Sequence, residues 1–257
     1  MSTEWPVGVG RVVLPEIDST NAEAQRRAAS YAGPLWILAL RQVAGRGRRG
    51  RAWQDPAGNF AATYLSRPEG PPDQVALRSF VAALALHETL VRVTGRAEAF
   101  ALKWPNDVLL NGGKLAGILL ESLGHRGGVG YLAIGIGVNL REAPEAEPGA
   151  VPPVSLMGET GCAVTPEAFL DLLAPAFARW EAQLVTYGFG PIRTAWLDRA
   201  ARLGAEITAR TQHEEQTGTF AGIDATGALV LRTSAGQRSI PAADVFFPEG
   251  GRDASYH

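Results

Sequence analysis

The 257-residue chain is 46% hydrophobic and 19% charged, enough to bury one large core with an appendage or two modest ones, which excludes a peptide-sized fold and global disorder. Its 24 Lys and Arg against 26 Asp and Glu leave a formal net charge of -2, so any attraction to phosphate must come from a local cluster and wholesale coating of nucleic acid is disfavoured. The lone Cys162 rules out an internal disulfide, and neither a charged-then-apolar leader nor a run of ~20 apolar residues is present, so a cytoplasmic protein without a membrane partner is expected.

In chain order, a strand is expected over 9–14, followed by Asp18, Ser19 and Thr20 as capping residues for a helix to about 31, with Glu23 as its capping-box acid. A buried strand over 35–40 leads into a Gly- and Arg-rich loop over 42–59, a strand over 61–66 and a helix over 73–93. Apolar runs over 100–104, 107–110, 114–122 and 129–140, separated by Pro-Asn, Asn-Gly-Gly and His-Arg-Gly-Gly, predict consecutive hairpin-connected strands. Thr165 and Pro166 start a helix to about 187, and a second helix is expected over 191–202. Short strands over 206–210, 217–223, 228–231, 237–240 and 245–247 then read as a small β-barrel. The expected fold is α+β: a mixed, largely antiparallel sheet flanked by helices over 1–203, then a small barrel with the tail over 204–257.

Only Lys103 and Lys114 among the 24 basic residues are lysine. Arg is a planar, permanently charged fork and Lys a compact point charge, so both lysines are expected where Arg would not serve. The densest cluster is Gly45-Arg46-Gly47-Arg48-Arg49-Gly50-Arg51, in which glycines let backbone N–H groups approach an anion and guanidiniums supply charge. Such a loop, with no acid before Asp55, should repel itself and stay mobile when empty. The alternatives are a solvated basic loop or an RNA-binding segment. Its GxGxxG match lacks a following helix and acid, and no Walker A follows, so dinucleotide and P-loop readings are disfavoured.

In Lys103-Trp104-Pro105-Asn106-Asp107, proline breaks the strand and delivers a lysine, an amide and a carboxylate to a sheet edge. Asp107 is either a Mg²⁺ ligand beside phosphates or part of an ordinary turn. Lys114 opens the otherwise apolar run 114–120, with Gly117 permitting close approach. It either meets an anionic ligand or sits at an exposed strand end. Gly135-Ile136-Gly137-Val138-Asn139 closes another strand with glycines that thin the sheet and an amide able to meet a base edge. The four histidines share no metal-ligand spacing with Cys162, and no GxSxG is present, which leaves zinc hydrolases and serine esterases without support.

Taken together, GRGRRGR, KWPND, the run from Lys114 to Glu121 and GIGVN, in this order, resemble the biotin protein ligases over about residues 10–247. The resemblance implies the class II synthetase-like fold with a C-terminal SH3-like barrel. It also implies a two-step reaction, in which biotin and Mg-ATP give biotinyl-5'-AMP and pyrophosphate, and a lysine of a biotin carboxyl carrier domain then takes the biotin as an amide. By the same resemblance, Ser19, Thr20, Asn21, Gln42, Gly45, Arg46, Lys114 and Gly117 hold biotin, and Arg48, Arg49, Arg51, Trp53, Lys103, Asn106 and Asn139 hold ATP or the adenylate. Lys114, Arg48 and Asp107 are the implied catalytic residues, with Asp107 as Mg²⁺ ligand or helper base for the incoming lysine. The implied partner is the carrier protein of acetyl-CoA carboxylase or a related carboxylase, and a homodimer through a sheet edge is compatible with it. About nine residues precede the first core strand, so no winged-helix domain, and hence no DNA partner, is expected. Lipoate or octanoate ligases share this fold and chemistry and are the nearest rivals; an RNA-binding module using the basic loop is the second.

Overall fold

Parallel strands β1 (Gly10–Leu14) and β2 (Leu35–Ala39) are joined by helix α1 (Thr20–Ala28), and β3 (Phe60–Ser66) returns antiparallel beside β2. The computed structural model describes residues 4–125, 128–146, 151–211 and 214–247. Helices α2 (Pro72–Ala76) and α3 (Arg78–Thr94) lead to four consecutive antiparallel strands, β4 (Phe100–Lys103), β5 (Asp107–Leu110), β6 (Gly113–His125) and β7 (Gly128–Val138). The seven strands lie in the order β1-β2-β3-β7-β6-β5-β4. The β5–β6 hairpin turns on Asn111 and Gly112, both with positive φ, as the Asn-Gly pair demands.

Alternation along the strands gives the sheet two different faces. Trp36, Leu38, Phe60, Ala62, Ile134, Ile136 and Val138 point into the main core, against α3 and α5 (Pro166–Tyr187). Phe177 on α5 packs edge-on against Trp36, 5.6 Å between ring centroids. The opposite face is covered by α1 only at one end, where Ala24 meets Ile37, Leu65 and Ala133. The rest of that face is left for a cleft.

After α4 (Leu156–Thr160) and α5, helix α6 (Phe189–Leu197) leads to β8 (Glu206–Arg210), β9 (Glu215–Ile223), β10 (Leu229–Thr233), β11 (Gly236–Ile240) and β12 (Asp244–Phe246). These form a five-stranded antiparallel sheet in the order β11-β10-β9-β8-β12, with a bulge at Val230/Leu231. The two sheets share the main core: Phe220, Leu229 and Leu231 belong to it together with Leu102 and Trp104. The Trp104 indole N–H donates to the Gly227 carbonyl at 3.0 Å.

Three local expectations are corrected, and one helix is added. The helix expected over 73–93 is divided at Leu77, whose N–H bonds the Gln74 carbonyl in a tightened turn. The helix expected to reach 202 stops at Leu197, because Leu102 of β4 captures the following segment through Leu102 N–H to Arg199 O and Ala201 N–H to Leu102 O, both 2.8 Å. Ser19 is the N-cap of α1 without a side-chain cap bond, and Glu23 engages Arg26 and Arg27 instead of closing a capping box. Helix α4, capped by Ser155 accepting from the Gly158 N–H at 3.1 Å, was not expected.

Candidate active-site cleft

The open face of the first sheet is the floor of a cleft of about 1720 Å³. Cross-strand register aligns Leu14, Ala39, Ala61, Gly137, Gly117, Asp107 and Lys103 in one row across all seven strands. The middle of that row is flat because its residues are Ala or Gly, and its far end is charged.

Glycine serves here by admitting a neighbour. A Cβ at Gly137 would lie 2.4 Å from the Trp53 indole and one at Gly117 3.1 Å from it, so the ring rests on both strands. A Cβ at Gly135 would lie 2.3 Å from the Asn21 side-chain oxygen.

The β5–β6 hairpin arranges the lysines. Leu109 pairs with Lys114 but Val108 pairs with Ala116, which makes Leu115 a bulged extra residue. Without the bulge Lys114 and Gly117, three positions apart, would face opposite ways. With it both share the cleft face with Asp107. The Asp107 carboxylate receives Lys114 Nζ at 2.8 Å and Lys103 Nζ at 3.6 Å. Burial pushes the Asp107 carboxyl up, but the two ammonium groups outweigh it and hold the group below the usual carboxylate range. Lys103 is 8% exposed, whereas the Lys114 side chain is 33% exposed and faces the cleft.

Asp107 is thus ion-paired with two ammonium groups although its buried Oδ1 makes no hydrogen bond, and a Mg²⁺ ion placed there would compete with Lys114 and Lys103 for the same carboxylate. Among the described residues no group of three His, Cys, Asp or Glu side chains could hold a metal ion.

At the α1 end Thr20, Asn21 and Gln42 line the cleft and belong to a chain of polar side chains that runs behind it. The Thr20 N–H donates to Gln42 Oε1 at 2.8 Å, and the Thr20 hydroxyl lies 3.1 Å from the same oxygen. The Thr63 hydroxyl sits 2.8 Å from the Thr20 hydroxyl and 2.6 Å from Asn21 Oδ1, and Asn21 Nδ2 donates to Glu121 at 2.7 Å. Ser19, Thr20 and Asn21 are all buried.

The basic loop folds back on itself through Gly47 N–H to Arg51 O and Trp53 N–H to Gly45 O, 2.7 and 2.9 Å. Its charges are gathered by Asp244 on β12, which lies 2.6 Å from Arg49, 3.4 Å from Arg51 and 3.8 Å from Arg48. Self-repulsion is therefore offset by a carboxylate from the second sheet. Arg48 also donates to Asn106 Oδ1 at 3.2 Å, while Asn106 Nδ2 donates to the Ile118 carbonyl at 2.7 Å.

Of the residues singled out in the sequence, Ser19, Thr20, Asn21, Gln42, Arg46, Arg48, Arg51, Trp53, Lys103, Asn106, Asp107, Lys114 and Gly117 line the cleft. Gly45, Arg49 and Asn139 do not. A Cβ at Gly45 would lie 2.5 Å from the Trp53 carbonyl oxygen, so its role is to let the loop close. Arg49 turns to Asp244 with φ +56°. Asn139 is buried with its amide donating to the Val154 carbonyl at 3.1 Å. Thr63, Glu121, Asp55 and Asp244 were missed. Glu121 closes the run from Lys114 but was given no role there, the other three lie outside the motifs, and Asp244 is 195 positions from its Arg49 partner.

Known proteins resemble this chain in sequence and in fold. Residues 12–139 match the biotin/lipoate A/B protein ligase family, and residues 203–247 match the biotin protein ligase C terminal domain. A biotin--[acetyl-CoA-carboxylase] ligase of Paracoccus denitrificans is 63% identical over 238 residues, covering 91% of this chain and 99% of that protein. A bifunctional ligase/repressor BirA of Bacillus subtilis is 31% identical over 89% of this chain and 71% of its own length. Among solved structures, the biotin protein ligase of Aquifex aeolicus in complex with biotin and ATP superposes with a TM-score of 0.78 at 25% identity, covering 92% of this chain and 97% of that one.

Proposed function

This chain belongs to the biotin/lipoate A/B protein ligase family, and we infer that it is a biotin–protein ligase that makes biotinyl-5'-AMP from biotin and ATP and passes the biotin to a carrier lysine. The observation that carries the reading is the polarity of one cleft. Neutral hydrogen-bonding groups around Thr20 and Gln42 line it at one end, and Arg46, Arg48, Arg51 and Lys114 line it elsewhere. A ligand with an uncharged polar head and a carboxylate tail, lying beside a nucleotide triphosphate, matches that distribution.

In the first step a biotin carboxylate oxygen attacks the α-phosphorus of ATP, the bond to the β-phosphate oxygen breaks and pyrophosphate leaves. Two anions must be brought together, so the protein acts by position and charge. Lys114 offers its ammonium to the carboxylate and α-phosphate oxygens, the point-charge role in which an Arg fork would not fit. Arg46, Arg48 and Arg51 neutralise the leaving pyrophosphate, and Trp53, Asn106 and Lys103 complete the nucleotide side. Ser19, Thr20, Asn21, Gln42 and Gly117 hold biotin. Asn139 supports the nucleotide end by tying β7 to the Val154 segment. In the second step the carrier lysine amine attacks the acyl carbon, AMP leaves, and the amine proton is lost. Asp107 holds Lys114 and Lys103 in place. ATP and Mg²⁺ are the proposed cofactors, with no side chain assigned to the ion.

The proposed partner is the biotin carboxyl carrier domain of acetyl-CoA carboxylase or a related carboxylase, in the cytoplasm. Residues 1–203 and 204–257 are proposed as a catalytic domain and an SH3-like domain, and the unpaired edge of β1 is the proposed seam of a homodimer. Among the described residues one segment, Pro72–Thr94, is long and apolar enough to cross a membrane, and 72% of its apolar window is buried, as in core helices. Exchange of labelled pyrophosphate into ATP, dependent on biotin, tests the reading. Dependence on lipoate or octanoate instead would move the chain to the sister activity.

A further inference from the structure

Glu121 stands in the row Leu65–Ala133–Glu121, does not line the cleft and is absorbed by none of the roles above. Its Oε2 accepts from Asn21 Nδ2 at 2.7 Å. From there the polar side chains run toward the cleft. Asn21 Oδ1 lies 2.6 Å from the Thr63 hydroxyl, that hydroxyl lies 2.8 Å from the Thr20 hydroxyl, and Thr20 lines the cleft beside Gln42. Thr20, Asn21 and Thr63 are buried.

Counting protons gives this chain a direction. A carboxylate only accepts, so Asn21 turns its NH₂ end to Glu121 and its carbonyl end to Thr63. The carbonyl oxygen carries no proton, so the 2.6 Å contact takes the single proton of the Thr63 hydroxyl. The 2.8 Å contact is then a hydrogen bond only if Thr20 donates. In this direction Gln42 Oε1 accepts only the Thr20 N–H, at 2.8 Å, so both Thr20 Oγ1 and Gln42 Oε1 keep a lone pair for a ligand. In the reverse direction Asn21 would donate to Thr63 and Thr63 to Thr20. The Thr20 proton would then pass to Gln42 Oε1, 3.1 Å away, and fill that oxygen's second lone pair. One of the two acceptors facing the cleft would be lost. The Gln42 end tolerates either direction, and both hydroxyls can turn. Among the described residues no other hydrogen bond holds the Asn21 amide, so Glu121 alone decides.

We propose that Glu121 is a positioning residue for the head group of biotin: through Asn21 and Thr63 it sets the direction of the hydroxyl chain so that Thr20 and Gln42 both face the ligand as acceptors. Two acceptors match in number the two N–H groups of a cyclic urea. This rests on the biotin reading above. Glu121→Gln satisfies every contact in either direction, since its amide can accept from Asn21 Nδ2 or donate to Asn21 Oδ1. Glu121→Lys can only donate, which turns the Asn21 amide over and fixes the reverse direction.

The test is biotin-dependent exchange of labelled pyrophosphate into ATP by the full chain, for the wild type, Glu121→Gln and Glu121→Lys, each with Thr63 and with Thr63→Val. With Thr63 present, the KM for biotin should rise about twofold in Glu121→Gln, where roughly half the molecules hold the competent direction. It should rise about tenfold in Glu121→Lys, where one hydrogen bond to the ligand is lost. In both, kcat and the KM for ATP should be unchanged. Thr63→Val removes the hydroxyl that connects Asn21 to Thr20, so Glu, Gln and Lys at position 121 should then give the same KM for biotin. A wild-type KM for biotin in Glu121→Lys, or a parallel rise in the KM for ATP, overturns the proposal. So do increments that persist beside Thr63→Val, as a merely structural or long-range charge effect would give. If Thr63→Val does not fold, the order Glu, Gln, Lys in rising KM for biotin decides alone, and its absence overturns the proposal. Absence of biotin-dependent exchange in the wild type would instead overturn the biotin reading itself.

Discussion

Gly137→Ala places a methyl group where the Trp53 indole now rests. The added Cβ would lie 2.4 Å from the ring, whereas carbon atoms in contact settle at ~3.5–4.0 Å, so the indole must retreat by roughly 1.1–1.6 Å. Trp53 is half-buried at the cleft and can move outward without opening the core. The folding cost should therefore be at the low end of overpacking, about 1 kcal/mol, or a fall in Tm of ~2–4 °C for a domain of this size. The larger effect falls on ligand geometry, because a displacement of ~1 Å at a positioning residue can cost ~100-fold in rate. Gly190→Ala is the control: nothing lies within 4 Å of its added Cβ, and removing backbone freedom in α6 should leave activity unchanged and Tm equal or higher. Differential scanning fluorimetry and the kcat/KM for pyrophosphate exchange measure both quantities. If Gly137→Ala kept wild-type kcat/KM and Tm, the indole would not rest on the glycine floor and the account of this motif would be wrong.

Three further outcomes are expected. Asp244→Ala removes the carboxylate shared by Arg48, Arg49 and Arg51, so trypsin should cut the unliganded loop several-fold faster, while biotin with ATP should restore protection; equal cleavage of both proteins would deny the clasp. Asn59→Ala deletes bonds to the Arg141 and Glu142 N–H groups and the Glu142 carbonyl, and losing the buried amide that ties down this exposed turn should cost about 1 kcal/mol, read as a lower urea midpoint. His87, whose pKa burial chiefly and Arg199 secondarily lower to about 4, is neutral in the folded chain. The unfolded chain then binds the extra proton between about 6.5 and 4, so stability should fall as pH drops through that window, and His87→Gln should flatten this part of the Tm–pH curve.

Much of this was legible because local chemistry dictated it. Asn111-Gly112 specified the tight hairpin, the apolar run over 129–140 specified a strand, and Thr165 with Pro166 specified the start of α5, where Thr165 accepts the Ala168 N–H. The rarity of lysine located the charged end of the floor row before any coordinates. What stayed hidden depends on tertiary pairing. Leu102 ended α6 early by capturing Arg199 and Ala201, and the bulge at Leu115 that turns Lys114 to Asp107 leaves no mark in composition. The basic loop was expected to repel itself because its nearest acid in sequence was Asp55. In space that acid holds Gln42, and the compensating charge is Asp244.

The central claim is that Lys114 brings a biotin carboxylate and the α-phosphate of ATP together in this cleft. The most direct measurement is pyrophosphate exchange into ATP with biotin, lipoate or octanoate as the only variable, repeated with Lys114→Arg. The account predicts exchange with biotin alone and its loss in the variant, with Tm within a few degrees of wild type. Exchange that survives in Lys114→Arg, or that lipoate drives equally well, would contradict it.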